Sequence, residues 1–202
     1  ADEAEGAAPA PAWFWVGPKE FTGGQRWIAE RLFTNQTLFV LKSCKFSEQR
    51  PFTLFARVGP LGRDENECMP IFMNGGVQLY IKDGKEIVLK VTDGEQEDYV
   101  KAPVQFGDQE VDICGVYRSS GDGGDGKRIL SIFINGELIQ ESEVGSLQYE
   151  LPYAPPKIGI YRNIAANIDA FWGKVALVCA WPGQALSPEQ VSRLGDPAGV
   201  AQ

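Results

Sequence analysis

Histidine is absent from this chain of 202 residues. That absence excludes Ser-His and Cys-His nucleophile pairs, histidine-ligated zinc and histidine general bases. The four cysteines, at positions 44, 68, 114 and 179, form no C-x-x-C pair, so a zinc ribbon is excluded as well. Cys114 and Cys179 lie in apolar strand patterns, where we expect free buried thiols. If a disulfide forms, we expect it between these two residues on neighbouring strands, while the state of Cys44 and Cys68 stays open.

Long apolar runs and basic clusters are also missing. No run approaches the roughly 18 apolar residues of a membrane span, so we predict no transmembrane segment. There are 19 Lys and Arg against 27 Asp and Glu, a net charge of −8. With no basic stripe, nucleic acid is excluded as an expected partner. The sequence begins with Ala1, which fits either removal of an initiator methionine or cleavage of a signal or pro-segment.

Short apolar runs separated by turn residues make up most of the chain, which contains 23 Gly and 13 Pro. Residues 52–58 and 111–117 read as strands, and in the first of these runs Phe52, Leu54, Ala56 and Val58 share one face. The hydrophobic content of 44% is sufficient for one core. The sequence therefore predicts an all-β sandwich of antiparallel strands.

Two hairpins set the expected pairing of four strands. Asn135-Gly136 separates two apolar runs and predicts a type I′ turn, since both residues tolerate positive φ. Such a two-residue turn places Phe133 opposite Leu138 and Ile132 opposite Ile139.

The second hairpin joins residues 77–82 to residues 86–91. A three-residue turn from Asp83 to Lys85 pairs Ile81 with Ile87, and it keeps the apolar side chains on one face. A two-residue turn would scramble the two faces, so we predict the longer one.

One short helix is predicted at the C-terminal end. Ser187 is an N-cap, Pro188 occupies the first helical position, and Gln190 completes a capping box. Val191 and Leu194 follow one turn apart, and we expect them to hold this helix against a sheet.

The N-terminal part differs from the rest in composition. Residues 1–12 are small, acidic and proline-bearing, and we expect a disordered or extended leader. Residues 13–35 begin with Trp13, Phe14 and Trp15, which predicts an aromatic arm that packs on the sandwich or docks on a partner. Residues 36–202 are predicted to form the main domain.

The order of elements in the last third resembles that of laminin-G-like domains. The features that carry the resemblance are the Asn-Gly hairpin, "IGIY" at 158–161, "WGKVALV" at 172–178 and "ALSPEQVSRL" at 185–194. These domains belong, with the pentraxins, to the concanavalin A-like lectin and glucanase jelly rolls. The resemblance implies an antiparallel jelly-roll sandwich with one short C-terminal helix. It also implies three kinds of candidate site: a sugar site, a calcium site and a glycoside hydrolase site.

The preferred hypothesis is a non-catalytic structural or adhesive recognition module. It would bind protein or glycan on an extracellular, cell or virion surface, or within a larger and oligomeric assembly such as a viral decoration or tail structure. Docking would use Trp13, Phe14 and Trp15. The alternative is a calcium-assisted lectin, whose sugar site would combine the aromatic, amide and carboxylate side chains of Tyr161, Asn163, Asn167, Asp169 and Trp172.

Calcium and hydrolysis are the remaining candidate chemistries. Asp122 and Asp125 in a glycine-rich hairpin tip offer carboxylate ligands for calcium, the one cofactor considered. A glycoside hydrolase is the weaker alternative, because Asp108, Glu110 and Asp112 alternate as active-site carboxylates do on one face of a strand. The apolar residues of that strand begin only at Val111, which favours solvated carboxylates. No catalytic residue is assigned.

Overall fold

The strand Phe52–Leu61 lies near the centre of one of two large sheets in the computed structural model of this chain. The structure describes residues 8–11, 13–22, 38–39, 45–47, 50–62, 68–119, 128–145, 147, 150–152, 154, 156–162 and 168–194. For residues 13–22, 38–39, 119, 160–162, 168–170 and 172 the description is limited to the backbone.

The strands in the described part of the chain are β1 (Trp13–Thr22), β2 (Leu38–Phe39), β3 (Phe52–Leu61), β4 (Cys68–Asn74), β5 (Val77–Lys82), β6 (Glu86–Thr92), β7 (Glu97–Pro103), β8 (Val111–Ser119), β9 (Arg128–Ile134), β10 (Glu137–Val144), β11 (Lys157–Ile158), β12 (Ile160–Arg162), β13 (Ile168–Ala170) and β14 (Trp172–Pro182). The helix α1 spans Pro188–Leu194. No helix in this described part is long and apolar enough to cross a membrane.

The strands form two six-stranded antiparallel sheets and one small hairpin. The first sheet has the order β1-β14-β3-β8-β9-β10, the second sheet has the order β2-β11-β4-β5-β6-β7, and β12 pairs with β13. This arrangement confirms the predicted all-β sandwich with one short helix.

The main core fills the space between the two sheets. The predicted face of β3 is confirmed, because Phe52, Leu54, Ala56 and Val58 are fully buried in this core. They pack with the inward side chains of β4 to β9 and β14. Burial of apolar area at about 25 cal/mol per Å² makes this layer the main source of stability.

A second apolar layer covers the opposite face of the first sheet. This outer layer contains Phe55, Cys114, Val116, Phe133, Cys179 and Trp181 from the sheet, with Leu186, Val191 and Leu194 from the C-terminal segment. The N-terminal segment joins it, since the Trp181 indole Nε1 donates a hydrogen bond to the Pro9 carbonyl at 2.8 Å. The first sheet is therefore buried on both faces.

The predicted capping box of α1 is present. The Gln190 N–H donates to Ser187 Oγ at 3.2 Å, and the Ser187 N–H donates to Gln190 Oε1 at 2.9 Å. Val191 and Leu194 are buried in the outer layer, so both predicted anchors hold the helix against the sheet.

The second predicted hairpin has the expected register, with Ile81 opposite Ile87 and Lys82 opposite Glu86. The register predicted for the first hairpin, at Asn135 and Gly136, is correct only in part. Asn135 and Gly136 have φ of 51° and 84°, as a type I′ turn requires, and Leu138 lies opposite Phe133.

Ile132, however, lies opposite Gln140, because the register of β10 shifts between Leu138 and Gln140. The predicted pairing of Ile132 with Ile139 is wrong. An extra residue is accommodated at Ile139, which is 39% exposed on an edge strand and has no core contact that would prevent the bulge.

The expected placement of Cys114 and Cys179 on neighbouring strands is also wrong. Both lie opposite Phe55, Cys114 on β8 and Cys179 on β14, so β3 runs between them. Two strand spacings separate their backbones by about 10 Å, which exceeds the roughly 4.4–6.8 Å that a disulfide spans. Cys68, Cys114 and Cys179 are free, and Cys44 lies outside the described residues.

Candidate functional site

A cleft of about 500 Å³ opens at the end of the sandwich where β3 begins and β14 finishes. We name it the end cleft, and it is lined by Lys45, Phe46, Ser47, Arg50, Glu150, Leu151, Pro182 and Gly183. Its volume lies within the roughly 300–1,000 Å³ of small-molecule sites. Three separate connections of the chain form its walls.

Phe46 anchors the first wall to the core. Its ring meets Phe52 edge to face at 4.9 Å between centroids, and it meets Phe72 at 6.0 Å in the same manner. Phe52 in turn stacks on the buried Tyr117 at 5.1 Å. Because these aromatic contacts fix the position of Phe46, they also restrict the backbone positions of Lys45 and Arg50 on either side of Phe46.

The second wall is the segment of Leu151, which packs against the core and the β4–β5 turn. The Gly76 N–H donates to the Pro152 carbonyl at 2.9 Å. A Cβ at Gly76 would lie 2.7 Å from Leu151 Cβ, so only glycine allows this close approach.

The third wall follows β14 and includes Pro182 and Gly183. The buried Thr53 hydroxyl fixes this connection, because its Oγ1 donates to the Gln184 carbonyl at 3.0 Å and accepts from the Leu186 N–H at 2.9 Å. Buried hydrogen bonds of this kind hold an otherwise irregular connection in one position.

Among the described residues, the charged side chains that line the end cleft are Lys45, Arg50 and Glu150, and all three residues are exposed. The Arg50 N–H donates to the Ser47 carbonyl at 3.2 Å, which turns the chain and brings Arg50 to the cleft. A guanidinium binds a carboxylate with two parallel hydrogen bonds, and Glu150 can accept hydrogen bonds from hydroxyl groups. The arrangement suits an anionic ligand that also carries hydroxyls.

The predicted sugar site is only partly described. Tyr161 lies directly opposite Asp169 in the β12–β13 hairpin, so the structure brings these two backbones together. Trp172 lies at the start of β14, opposite Thr22. Asn163 and Asn167 lie outside the described residues, and this site stays a prediction.

Asp122 and Asp125, the predicted calcium ligands, also lie outside the described residues. The strands on either side of them, β8 and β9, enter that connection at the end of the sandwich where β3 begins. The β12–β13 hairpin precedes the start of β14, which pairs with the last residue of β3. The calcium site stays a prediction. Where side chains are described, no cluster of three or more Asp, Glu or Cys is placed to hold a metal ion.

Two of the three carboxylates considered for hydrolysis, Glu110 and Asp112, are engaged in ion pairs, and Asp108 is exposed. Arg57 Nε donates to Asp112 Oδ1 at 2.6 Å and its Nη2 donates to Oδ2 at 2.9 Å, which raises the pKa of Arg57. Lys174 Nζ lies 2.5 Å from Glu110 Oε1. Both carboxylates therefore have structural partners on the outer face of the first sheet.

The aromatic arm forms the edge strand β1. Trp13, Phe14 and Trp15 lie opposite Ala180, Cys179 and Val178 of β14. The backbone of these residues thus belongs to the first sheet of its own chain, and partner docking by their rings stays a prediction.

Sequence reasoning missed the end cleft. Its walls lie far apart in sequence, at residues 45–50, 150–151 and 182–183, and no hydrophobic period marks them. The one available signal was the basic residues Lys45 and Arg50 on either side of Phe46 in an otherwise acidic chain.

No protein-family model and no curated protein matches the sequence. Among solved structures, the chain is similar to the CBM40 domain of the Ruminococcus gnavus IT-sialidase bound to α2,3 sialyllactose, with a TM-score of 0.63 and 12% identity over 92% of this chain and 99% of that one. It is similar to the leech intramolecular trans-sialidase, with a TM-score of 0.62 and 13% identity over 96% of this chain and 29% of that one.

The receptor binding domain of botulinum neurotoxin type G gives a TM-score of 0.58 and 10% identity over 93% of this chain and 51% of that one. At such low identities the likeness establishes the fold. The chain has the β-sandwich architecture of known carbohydrate-binding and receptor-binding domains.

Proposed function

We propose that this protein is a non-catalytic carbohydrate-binding module and that its end cleft receives a carboxylate-bearing sugar. The observation that carries the proposal is that the cationic Lys45 and Arg50, the carboxylate of Glu150 and the apolar Phe46 and Leu151 line the same cleft. A sugar acid has the matching groups: one carboxylate, several hydroxyls and an apolar ring face. The similar CBM40 domain bound to sialyllactose supports this choice of ligand class.

The charge of the cleft explains how a chain of net charge −8 would bind an anion. The described lining residues place two cations, Lys45 and Arg50, beside one carboxylate, Glu150. At physiological ionic strength, charges beyond about 8 Å are largely screened, so these near groups dominate the field that a ligand meets.

The test is titration calorimetry with α2,3-sialyllactose and with lactose, which lacks the carboxylate. We expect the intact protein to prefer sialyllactose, and Arg50→Ala to weaken that binding by about tenfold or more, since a hydrogen bond to a charged group contributes about 1.5–3 kcal/mol. Arg193→Ala is the matched control, because Arg193 is an exposed arginine on α1 that pairs with Glu189 at 2.8 Å.

Equal affinity for the two sugars, or a loss of affinity in both arginine variants, would contradict an acid-specific cleft. Failure to bind either sugar would remove the proposed function.

Three finer predictions remain part of the proposal. They are a laminin-G-like relationship, a location outside the cell or on its surface, and docking of a larger assembly through Trp13, Phe14 and Trp15. The β-sandwich fold is compatible with each.

A further inference from the structure

Tyr99 is an exposed aromatic residue in the second sheet, and it is not among the described residues that line the end cleft. It is 51% exposed, although it lies within strand β7. Asp98, Val100 and Ala102 of that strand are buried, so the alternate residues Glu97, Tyr99 and Lys101 point outward. A large apolar ring in this position costs solvation free energy that a ligand would recover.

Residues of the neighbouring strands β5 and β6 surround the Tyr99 ring. Lys90 of β6 lies opposite Tyr99, and Val88, two residues earlier, is fully buried beneath the outward side chains. Tyr80 of β5 lies opposite Val88. Burial raises the pKa of Tyr80 to about 12, and Glu97 and Tyr99 are among the nearby groups that contribute.

We name the group formed by Tyr80, Lys90, Glu97, Tyr99 and Lys101 the Tyr99 patch. Two contacts fix its polar groups around the ring. Lys90 Nζ lies 2.5 Å from Glu97 Oε1, and Lys101 Nζ lies over one face of the Tyr99 ring at 4.9 Å from its centroid, so a ligand would stack on the other face. Hydrogen-bond donors and one acceptor are thus held beside an exposed aromatic surface.

These groups match a neutral sugar ring. A pyranose presents apolar C–H groups on one face and hydroxyls, which both donate and accept, around its rim. The apolar C–H face would stack on the ring of Tyr99, and the hydroxyls would form hydrogen bonds with the lysines and Glu97. An anionic ligand fits this patch less well than it fits the end cleft, because the patch has no guanidinium and its Lys90 ammonium is already paired with Glu97.

We propose that the Tyr99 patch is a second carbohydrate site, at which a neutral pyranose ring stacks on Tyr99. The site uses no residue of the end cleft, so it stands or falls independently of the carboxylate specificity argued for that cleft.

The experiment is titration calorimetry of the full chain with three neutral probes: lactose, cellotetraose and a mannose trisaccharide. At least one probe should bind, and Tyr99→Ala should weaken it by about tenfold, the effect of removing an aromatic stacking partner. Tyr99→Phe keeps the ring and should stay within about twofold of the intact protein, since the stacking surface is unchanged. Arg50→Ala should leave these affinities as they are.

The proposal is overturned if none of the three probes binds, or if Tyr99→Ala binds them as the intact protein does. Loss of neutral-sugar binding in Arg50→Ala alone would assign those sugars to the end cleft and would also overturn it. Thermal unfolding of each variant confirms that the fold is intact, and the exposed position of Tyr99 makes both substitutions compatible with folding.

Discussion

The thiols of Cys114 and Cys179 show what burial in the outer layer does to a titratable residue. Burial raises the pKa of Cys179 from 9.0 to about 12, and it raises the pKa of Cys114 as well. The folded state thus favours the neutral thiol. Below pH 9 the thiols do not change the free energy of unfolding, because they are protonated in the folded and the unfolded chain alike. As the pH rises from about 9 towards 12, the thiols ionise only in the unfolded chain, and the folded state becomes less stable.

We therefore expect the free energy of unfolding to fall in alkaline solution by up to about 1.4 kcal/mol per pH unit for each thiol. Cys179→Ala should make this decline less steep, whatever its stability at neutral pH. Urea unfolding from pH 8 to 11 measures the two slopes. Parallel slopes for the variant and the intact protein would show that Cys179 ionises equally easily in both states.

The β9–β10 hairpin shows how one turn residue connects two elements. Gly136 has a φ of 84°, and a Cβ there would lie 2.9 Å from Ser192 Cα in α1. Gly183 has nearly the same φ, 85°, but no atom lies within 4 Å of a Cβ built there. The two glycines differ in contact with a neighbour and hardly at all in backbone conformation.

Gly183→Ala should cost about 1 kcal/mol of stability, the usual penalty for a left-handed alanine, and Gly136→Ala should cost about 1–2 kcal/mol more because α1 must shift. Urea unfolding of both variants measures the difference. Equal losses would mean that the hairpin turn and α1 do not restrain each other.

The contrast between the two hairpins explains which elements could be predicted. The register of β5 and β6 followed from the sequence because Leu79, Ile81 and Ile87 are all buried, and a slip would expose them. β10 is an edge strand, and Ile139 needs no core contact, so nothing in its pattern marked the bulge. The end cleft could not be predicted because it depends on where three irregular connections meet.

The edge strands of the first sheet, β1 and β10, influence whether the molecule associates with other chains by strand pairing. The register of β1 shifts between Val16 and Lys19, where Gly17 and Pro18 interrupt the ladder, and β10 carries its own bulge and three glutamates. Proline, charge and bulges discourage the addition of a further strand. Association through strand pairing at the edges of the first sheet is therefore disfavoured as long as β1 is in place.

Deletion of residues 1–22 should remove that protection, because β14 would become an unpaired edge. We expect a loss of about 3 kcal/mol or more, since each ladder hydrogen bond contributes about 0.5–1.5 kcal/mol. We also expect concentration-dependent association. Thermal unfolding and light scattering provide the two measurements, and a stable monomer after the deletion would show that β1 contributes little to the sheet.

The hydrogen bond from Trp181 to Pro9 has a practical consequence for attachment of the molecule to a surface. Ala8 and Leu194, the first and last residues of the described fold, both pack in the outer layer. A linker joined at either point would hold the sandwich by the same side. Tyr99 projects from the outward face of the other sheet. Immobilisation from either point would therefore leave that ring pointing into solution.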